Sequence, residues 1–336
     1  MFCTAVSLRS TLTVIWSVVL STVCFADDRH GPVQRAVEKA VEVLQRGARA
    51  YPSHQSCFAC HHQTLPALAL KSAQSAGISI DQQLIPEQLQ FTRKSFEERK
   101  ARLGKGEHVG GRAATVSYGL WMFHLAEAPA DDLGEAMTTY LLSVQQDDGS
   151  WKPPSIRPPL EVSSVSCTVL SARGIQQFAS AQQRARVEDA IDRAKIWLGN
   201  APLEDQEDLN FALWGNKLFG EDAVRRNELL ERILAARRAD GGWSQNQNLQ
   251  SDAYSTGQTA FILAEAGLAT DEAAIREAVA FLLETQDADG SWHVRSRSKP
   301  VQPWFDNGDP HDKDQFISIA GTSWAAAALA KTRQGR

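Results

Sequence analysis

Strand signals are nearly missing from this 336-residue chain. No sustained run alternates apolar and polar residues, and no Asn-Gly pair joins two apolar stretches, which excludes a sheet built on hairpins. Positive charge is also short: 35 Lys and Arg stand against 40 Asp and Glu, for a formal net charge of −5, and no basic patch is present. That balance argues against a nucleic-acid partner. Beyond Ala26 no stretch is apolar enough to cross a bilayer. Cysteine is scarce. Only Cys57, Cys60 and Cys167 lie beyond Ala26, too few for a disulfide-dense scaffold.

Met1–Ala26 reads as a secretory signal peptide. Arg9 is its only charge, an apolar run spans Leu12–Leu20, and Cys24 and Ala26 place small residues at −3 and −1 of a cleavage site. The expected product is an exported protein, periplasmic or secreted, of residues 27–336. Its charge is 34 − 40 = −6, since only Arg9 is removed. It has no stable membrane span, and its length suits one large domain.

One phrase recurs and organises the rest. Gln286-Asp-Ala-Asp-Gly-Ser-Trp292 ends a helical run, and Tyr140–Trp151 aligns with Phe281–Trp292 without a gap. Ala239-Asp-Gly-Gly-Trp243 is a shorter copy. Asp-Gly supplies the positive φ of a sharp reversal. The Trp folds back as an apolar plug whose indole N–H seeks a carbonyl. Repetition fits a mechanical job, fastening one helix pair to the next.

Helical spacing predicts helices over 33–50, 65–76, 84–103, 113–128, 133–146, 162–172, 181–198, 204–220, 223–238, 252–267, 271–285 and 315–331. They pair into six hairpins whose second helices begin near 61, 113, 162, 207, 252 and 315. The second helices are rich in small residues, as in Ala113-Ala114 and Ala325–Ala328, and suit a crowded centre. The first carry charge, as in Glu38, Lys39 and Glu42, and suit an outer ring. The fold expected is all-α, an (α/α)6 toroid closed by Asp-Gly-x-Trp turns, with the inner-helix N-termini opening on one mouth.

The Gln-x-x-Asp-Gly-x-Trp phrases, the small-residue inner helices and the six hairpins resemble the squalene–hopene cyclase and protein prenyltransferase repeat family. The resemblance covers nearly all of residues 27–336 and implies the α/α-toroid fold. It also implies a terpenoid cyclase-like activity, with an isoprenoid as the small-molecule ligand. At the place of the cyclases' Asp-x-Asp-Asp acid motif stands Ser251-Asp252-Ala253-Tyr254, which keeps one aspartate. Against the prenyltransferases' zinc ligands, an Asp-x-Cys pair and a distant His, the chain offers Asp252 and His311 but no Cys at 254.

Cys57-Phe-Ala-Cys60-His61 is the sharpest chemical signal. Cys-x-x-Cys-His is the attachment pattern of heme c, with His61 as axial ligand and Met122, Met137, His62 and His108 as candidate sixth ligands. Zinc is the alternative, held by Cys57, Cys60 and His61 or His62 with Asp252 or His311 across the mouth. A disulfide and simple packing compete with both. The first function expected is therefore a heme- or metal-bearing protein with a redox or ligand-binding role. A terpenoid or carbohydrate-active enzyme and a non-catalytic scaffold are the alternatives.

The Trp304–Gln315 loop is longer than a hairpin connection needs, and loops on rigid scaffolds often hold function. It brings His311, Asp312 and Asp314 to the expected mouth beside Cys57, Cys60, His61, His62, Asp252 and Tyr254. Asp252, Tyr254 and Asp314 are the catalytic candidates. Glu161, Glu204, Asp205, Glu207, Asp208 and Asp252 all fall near inner-helix starts, where capping and dipole matching explain most of them. A facing pair would also supply the acid and base that glycoside hydrolysis requires.

Overall fold

Small residues recur on one set of helices and charge on the other, and the computed structural model separates the two sets into an inner and an outer ring. It describes Met1 and residues 31–154, 163–298 and 303–334. Apart from Met1, the expected leader lies outside these residues, as does Glu161. Among the described residues the chain is helical, with no strand, and no helix is long and apolar enough to cross a membrane.

The outer helices are α1 (Pro32–His54), α3 (Leu84–Glu97) with the short α4 (Lys100–Leu103), α6 (Asp132–Val144), α8 (Arg184–Asn200), α10 (Ala223–Ala235) and α12 (Ala273–Thr285). The inner helices are α2 (Thr64–Ser75), α5 (Arg112–Leu125), α7 (Ser164–Phe178), α9 (Gln206–Leu218), α11 (Ala253–Glu265) and α13 (Gln315–Gln334). Each inner helix packs on the next, and α13 packs on α2, so the ring closes. In α1 the apolar stripe Val37, Ala40, Val41 and Leu44 is buried while Lys39 and Glu42 face water. In α13 the whole run Ala325–Ala330 is buried. At the α11–α13 crossing a Cβ on Gly257 would stand 2.5 Å from the Ala325 nitrogen, so the small residues set how closely the inner helices approach.

The Trp turns are three versions of one joint. The indole N–H of Trp151, Trp243 and Trp292 donates to Leu141, Ile233 and Leu282 O at 2.7, 2.8 and 2.8 Å, each ten residues back on the preceding outer helix. Their backbone N–H groups donate to Thr168, Thr256 and Thr322 Oγ1 of the following inner helix at 2.9, 2.9 and 3.1 Å. Gly149, Gly241 and Gly290 have φ of +90, +82 and +95°, as the reversal needs. Gln145 bridges its own turn to Ala190 O of α8, and Gln286 bridges to Ala36 O of α1. The last Trp turn is thus fastened to the first helix.

The expected single helix over 84–103 is broken at Glu98–Arg99, and the one over 162–172 runs on to Phe178. The extension follows from a capping box at Ser163 and Ser166 that starts α7, and from Gly174 being used for close packing on Leu120 rather than as a stop. Trp121, Trp214 and Trp324 come from α5, α9 and α13, no two of them ring neighbours. They meet at 5.3 and 6.2 Å between centroids. Helices that are not neighbours touch only across the axis, so indole rings fill the middle of the toroid.

Candidate active site

All six inner helices start at the same end, and their caps separate structural carboxylates from the one that is spare. Asp205 is the N-cap of α9 and accepts from Asp208 N at 3.1 Å. Asp208 accepts in return from Glu204 N and Asp205 N at 2.9 and 3.3 Å. This reciprocal box uses both aspartates and leaves Glu207 no capping task on α9, although Glu207 Oε1 accepts from Ser163 N at the start of α7 at 3.4 Å.

Glu207 turns inward. Its Oε1 accepts from Ser166 Oγ of α7 at 2.7 Å and its Oε2 from the Tyr254 hydroxyl of α11 at 3.1 Å. Ser166 is 0% exposed, and Glu207 and Tyr254 are nearly so. Burial, then the nearby Asp205, pushes the Glu207 carboxyl up to about 8. The N-terminus of α9 favours a carboxylate, but by only about 0.3–1 kcal/mol, less than one pKa unit, so the penalty of burial wins. At neutral pH Glu207 therefore carries its proton. Burial pushes the phenols of Tyr118 and Tyr254 well above their usual value, with Cys60 the next cause for Tyr118 and Glu207 for Tyr254. Glu207, Tyr254, Tyr118 and Cys60 thus share one neighbourhood below the mouth.

Asp252 caps α11 through Ser255 N at 2.8 Å, while its Oδ2 is buried without a hydrogen-bond partner. Burial raises it to about 6, and Asp205 likewise, so both are largely ionised at neutral pH while Glu207 is not. Further polar side chains follow on the same two helices, α9 and α11. Asn210 donates to Gln258 Oε1 and Thr259 Oγ1 at 3.0 Å each, and Ser255 Oγ and Gln258 Nε2 have no partner.

Cys57, Cys60, His61 and His62 form the turn between α1 and α2. Neither Cys57 nor Cys60 is in a disulfide, and both are half-buried. Cys57 Sγ lies 3.7 Å from the Tyr51 hydroxyl, and Cys60 Sγ 3.7 Å from His61 Nδ1. Asn307 donates to His62 Nε2 at 2.7 Å, which puts the His62 proton on Nδ1, where it has no partner. The amide orientation follows from Asn307 Oδ1, which accepts from Asp309 N. Burial lowers both imidazoles, His61 to about 4.

The fit to heme c is poor. The His61 ring, which would present Nε2 to the iron, packs edge-on against His62 and Phe316 at 4.7 and 5.4 Å. A porphyrin would have to displace these side chains. The zinc set is not gathered either. No three His, Cys, Asp or Glu side chains among the described residues converge to hold a metal ion. His311 Nε2 sits 2.8 Å from Ser291 Oγ and stacks on His293, in the last Trp turn. Asp314 accepts from Ser296 N at 2.9 Å and lies 2.7 Å from His293 Nε2, while Asp312 is exposed.

Of the residues expected at the mouth, Tyr254 is brought to the buried acid and Asp252 stands at the start of the same helix. Cys60 approaches the phenols from the turn between α1 and α2. His311 and Asp314 are committed to Ser291, His293 and Ser296, in the last Trp turn and the segment after it. Glu207 reads in the sequence as one of six capping carboxylates, and Ser166 and Tyr118 carry no signal there. The register Asp205-x-x-Asp208, a capping box that makes Glu207 superfluous as a cap of α9, is the clue to it.

No protein-family model matches this chain, and neither does any curated protein sequence. Solved structures do. A type II terpene cyclase from Scytonema is 15% identical with a TM-score of 0.53, over 89% of this chain and 98% of that one. A possible member of the GH105 family from Salmonella enterica is 13% identical with a TM-score of 0.55, over 95% and 99%. An unsaturated glucuronyl hydrolase specific for heparin is 10% identical with a TM-score of 0.57, over 90% and 96%. At such identities the likeness is one of fold, and the fold common to them and to this chain is the α/α toroid.

Proposed function

We propose that this chain is an acid–base enzyme of the toroid kind acting on a sugar-like, oxygen-rich substrate, with Glu207 as the proton donor. The observation that carries the reading is a carboxylic acid kept protonated at neutral pH by burial, in hydrogen-bonded contact with Ser166 and Tyr254. A donor near pH 8 suits transfer to a leaving-group oxygen, where efficiency peaks when the pKa lies near the working pH. Asp252 is the matching base: it is ionised at neutral pH, and its Oδ2 has no partner. Two carboxyl groups with separated pKa values are the pattern of acid and base in one site. In the step proposed, Glu207 gives its proton to the departing oxygen while Asp252 takes one from the attacking water.

Polar atoms without partners on α11, the helix that brings Tyr254 to the acid, on Ser255 and Gln258, favour a hydroxylated substrate. Glycoside hydrolases and a terpene cyclase share this fold, so both chemistries have precedent on it. The leader-like Met1–Ala26 suits an exported enzyme. A terpenoid cyclase is the second reading, favoured by the aromatic floor of Trp121, Trp214 and Trp324 beneath the acid, since aromatic faces stabilise cations.

The test is turnover of a panel of glycosides, unsaturated uronides included, beside a panel of linear isoprenoids. Glu207→Gln should cost about 10²–10⁴ in kcat on the accepted substrate. The wild-type rate should fall as pH rises through about 8, where the donor is lost. A Gln variant as active as wild type removes Glu207 from the chemistry, and turnover of isoprenoids alone transfers the site to the second reading.

A further inference from the structure

At the end of the ring away from Glu207 the inner helices finish around a pocket of about 190 Å³. Trp121 and Trp214 form one side of it, and Leu68, Leu125 and Phe261 add apolar wall. Arg173 of α7 reaches in, its guanidinium carbon 5.8 Å from the Trp121 ring centre and 5.0 Å from that of Trp214. Its Nε and Nη1 are buried and have no hydrogen-bond partner, and neither does Trp121 Nε1. Buried donors are nearly always used, so three idle ones on one pocket point to an acceptor that the chain does not itself supply.

The charges around it leave one cation in excess. Lys71 is paired with Glu127, and Lys331 with Glu265, both at 2.6 Å. Arg173 is attracted by Glu265 as well, but that carboxylate is already in contact with Lys331. Burial lowers Arg173 to about 10, so it remains a cation at neutral pH. The other titratable group facing it is His124, which burial and then Arg173 hold down at about 4, hence neutral. Three cations face two carboxylates, and the sum is +1. The negative helix ends gathered here give basic residues a structural task. A guanidinium doing that task bonds terminal carbonyls, however, and neither Nε nor Nη1 of Arg173 does so.

We propose that this pocket binds a small organic monoanion, a carboxylate with an apolar or aromatic body, held by the fork of Arg173. A planar guanidinium matches a carboxylate with two parallel bonds. The single excess charge suits a monoanion, and the wall of Leu68, Leu125 and Phe261 suits a hydrocarbon body. The pocket is smaller than sites for drug-sized ligands, so the ligand is small.

Benzoate is the probe. Titrated into the whole protein, it should give saturable binding in the millimolar range, read by calorimetry and by the fluorescence of Trp121 and Trp214. Benzamide, its neutral isostere, should bind at least about tenfold more weakly, the loss expected for a charge-assisted pair. Arg173→Gln should lose benzoate binding to the same degree, and inorganic phosphate should bind more weakly than benzoate. The proposal is overturned if benzoate fails to saturate, if benzamide or phosphate binds as tightly, or if the Gln variant is unchanged. Should that variant not fold, the comparison of benzoate with benzamide on unaltered protein decides alone. None of these readings involves turnover at Glu207, so either proposal can fail without the other.

Discussion

A carboxyl that keeps its proton at neutral pH couples the stability of the chain to pH, and Glu207 does so with a definite sign. Its folded value of about 8 lies above the ordinary 4.5, so between those values the folded state holds a proton that the unfolded chain releases. Stability contributed by this group is full below 4.5, declines as pH rises toward 8, and is constant beyond. Glu207→Gln keeps an acceptor for Ser166 or Tyr254 and removes the titration. It should match wild type near pH 5 and exceed it at pH 8 or above, by an amount on the order of a few kcal/mol. Chemical unfolding of both proteins across that range reads the difference. Asp252 and Asp309 are also raised by burial and slope the same way, but they are common to both proteins and cancel. Parallel curves would mean that Glu207 is ionised in the folded protein and no proton donor.

The helical hairpin is joined to its neighbour by the Trp turn, whose bridging side chain differs from copy to copy. Gln145 and Gln286 each donate from Nε2 to two carbonyls, one in their own turn and one on the next outer helix. Arg237 holds the same place relative to Trp243 and reaches Glu277 instead, as an ion pair with side chains 28% and 48% exposed. Exposed pairs contribute about 0–1 kcal/mol, whereas losing a part-buried donor to two backbone acceptors costs about 1–3 kcal/mol. Gln286→Ala should therefore destabilise more than Arg237→Ala, measured as the shift in unfolding free energy at moderate salt. Equal costs would show that the bridge is incidental and that the indole bond carries the joint.

This motif is also why the fold is legible in the sequence. Asp-Gly fixes where each helix reverses, Trp names the plug, and alanine-rich against charged helices tells inner from outer. Breaks without a Gly or Pro are not legible: Glu98-Arg99 splits α3 from α4 amid ordinary helix formers. The site is less legible still, because its meaning lies between helices. Ser166 and Tyr254 are 41 and 47 residues from Glu207 in the chain. Lys71 and Glu127, whose pairing leaves Arg173 in excess, are 56 apart. A carboxylate near a helix start reads as a cap until its partners across the ring are known.

At the scale of the whole molecule the question is what closing the ring adds. Helix α13 packs on both α11 and α2, and the last Trp turn is fastened to α1, so the first hairpin is held from both sides. In an open array a terminal unit has one neighbour and frays first. Gly290 sits at the closing joint with φ +95°, and a Cβ there would meet Lys39 C and O at 2.6 and 2.7 Å. Gly241 is the internal counterpart, with φ +82° and Glu277 O at 2.9 Å. Alanine at either place carries the strain of a positive φ, about 1–3 kcal/mol, plus the displacement of a neighbouring helix. The two should differ in where the damage spreads. Gly290→Ala turns the ring toward an open array, so amides of α1 should lose hydrogen-exchange protection well beyond the global change in stability. Gly241→Ala should loosen α10 and α12 and leave α1 protected in proportion to global stability. If α1 stays equally protected in both variants, the first hairpin is held by its contacts with α2 and α13 alone, and the last Trp turn is a joint like the others rather than the clasp of the ring.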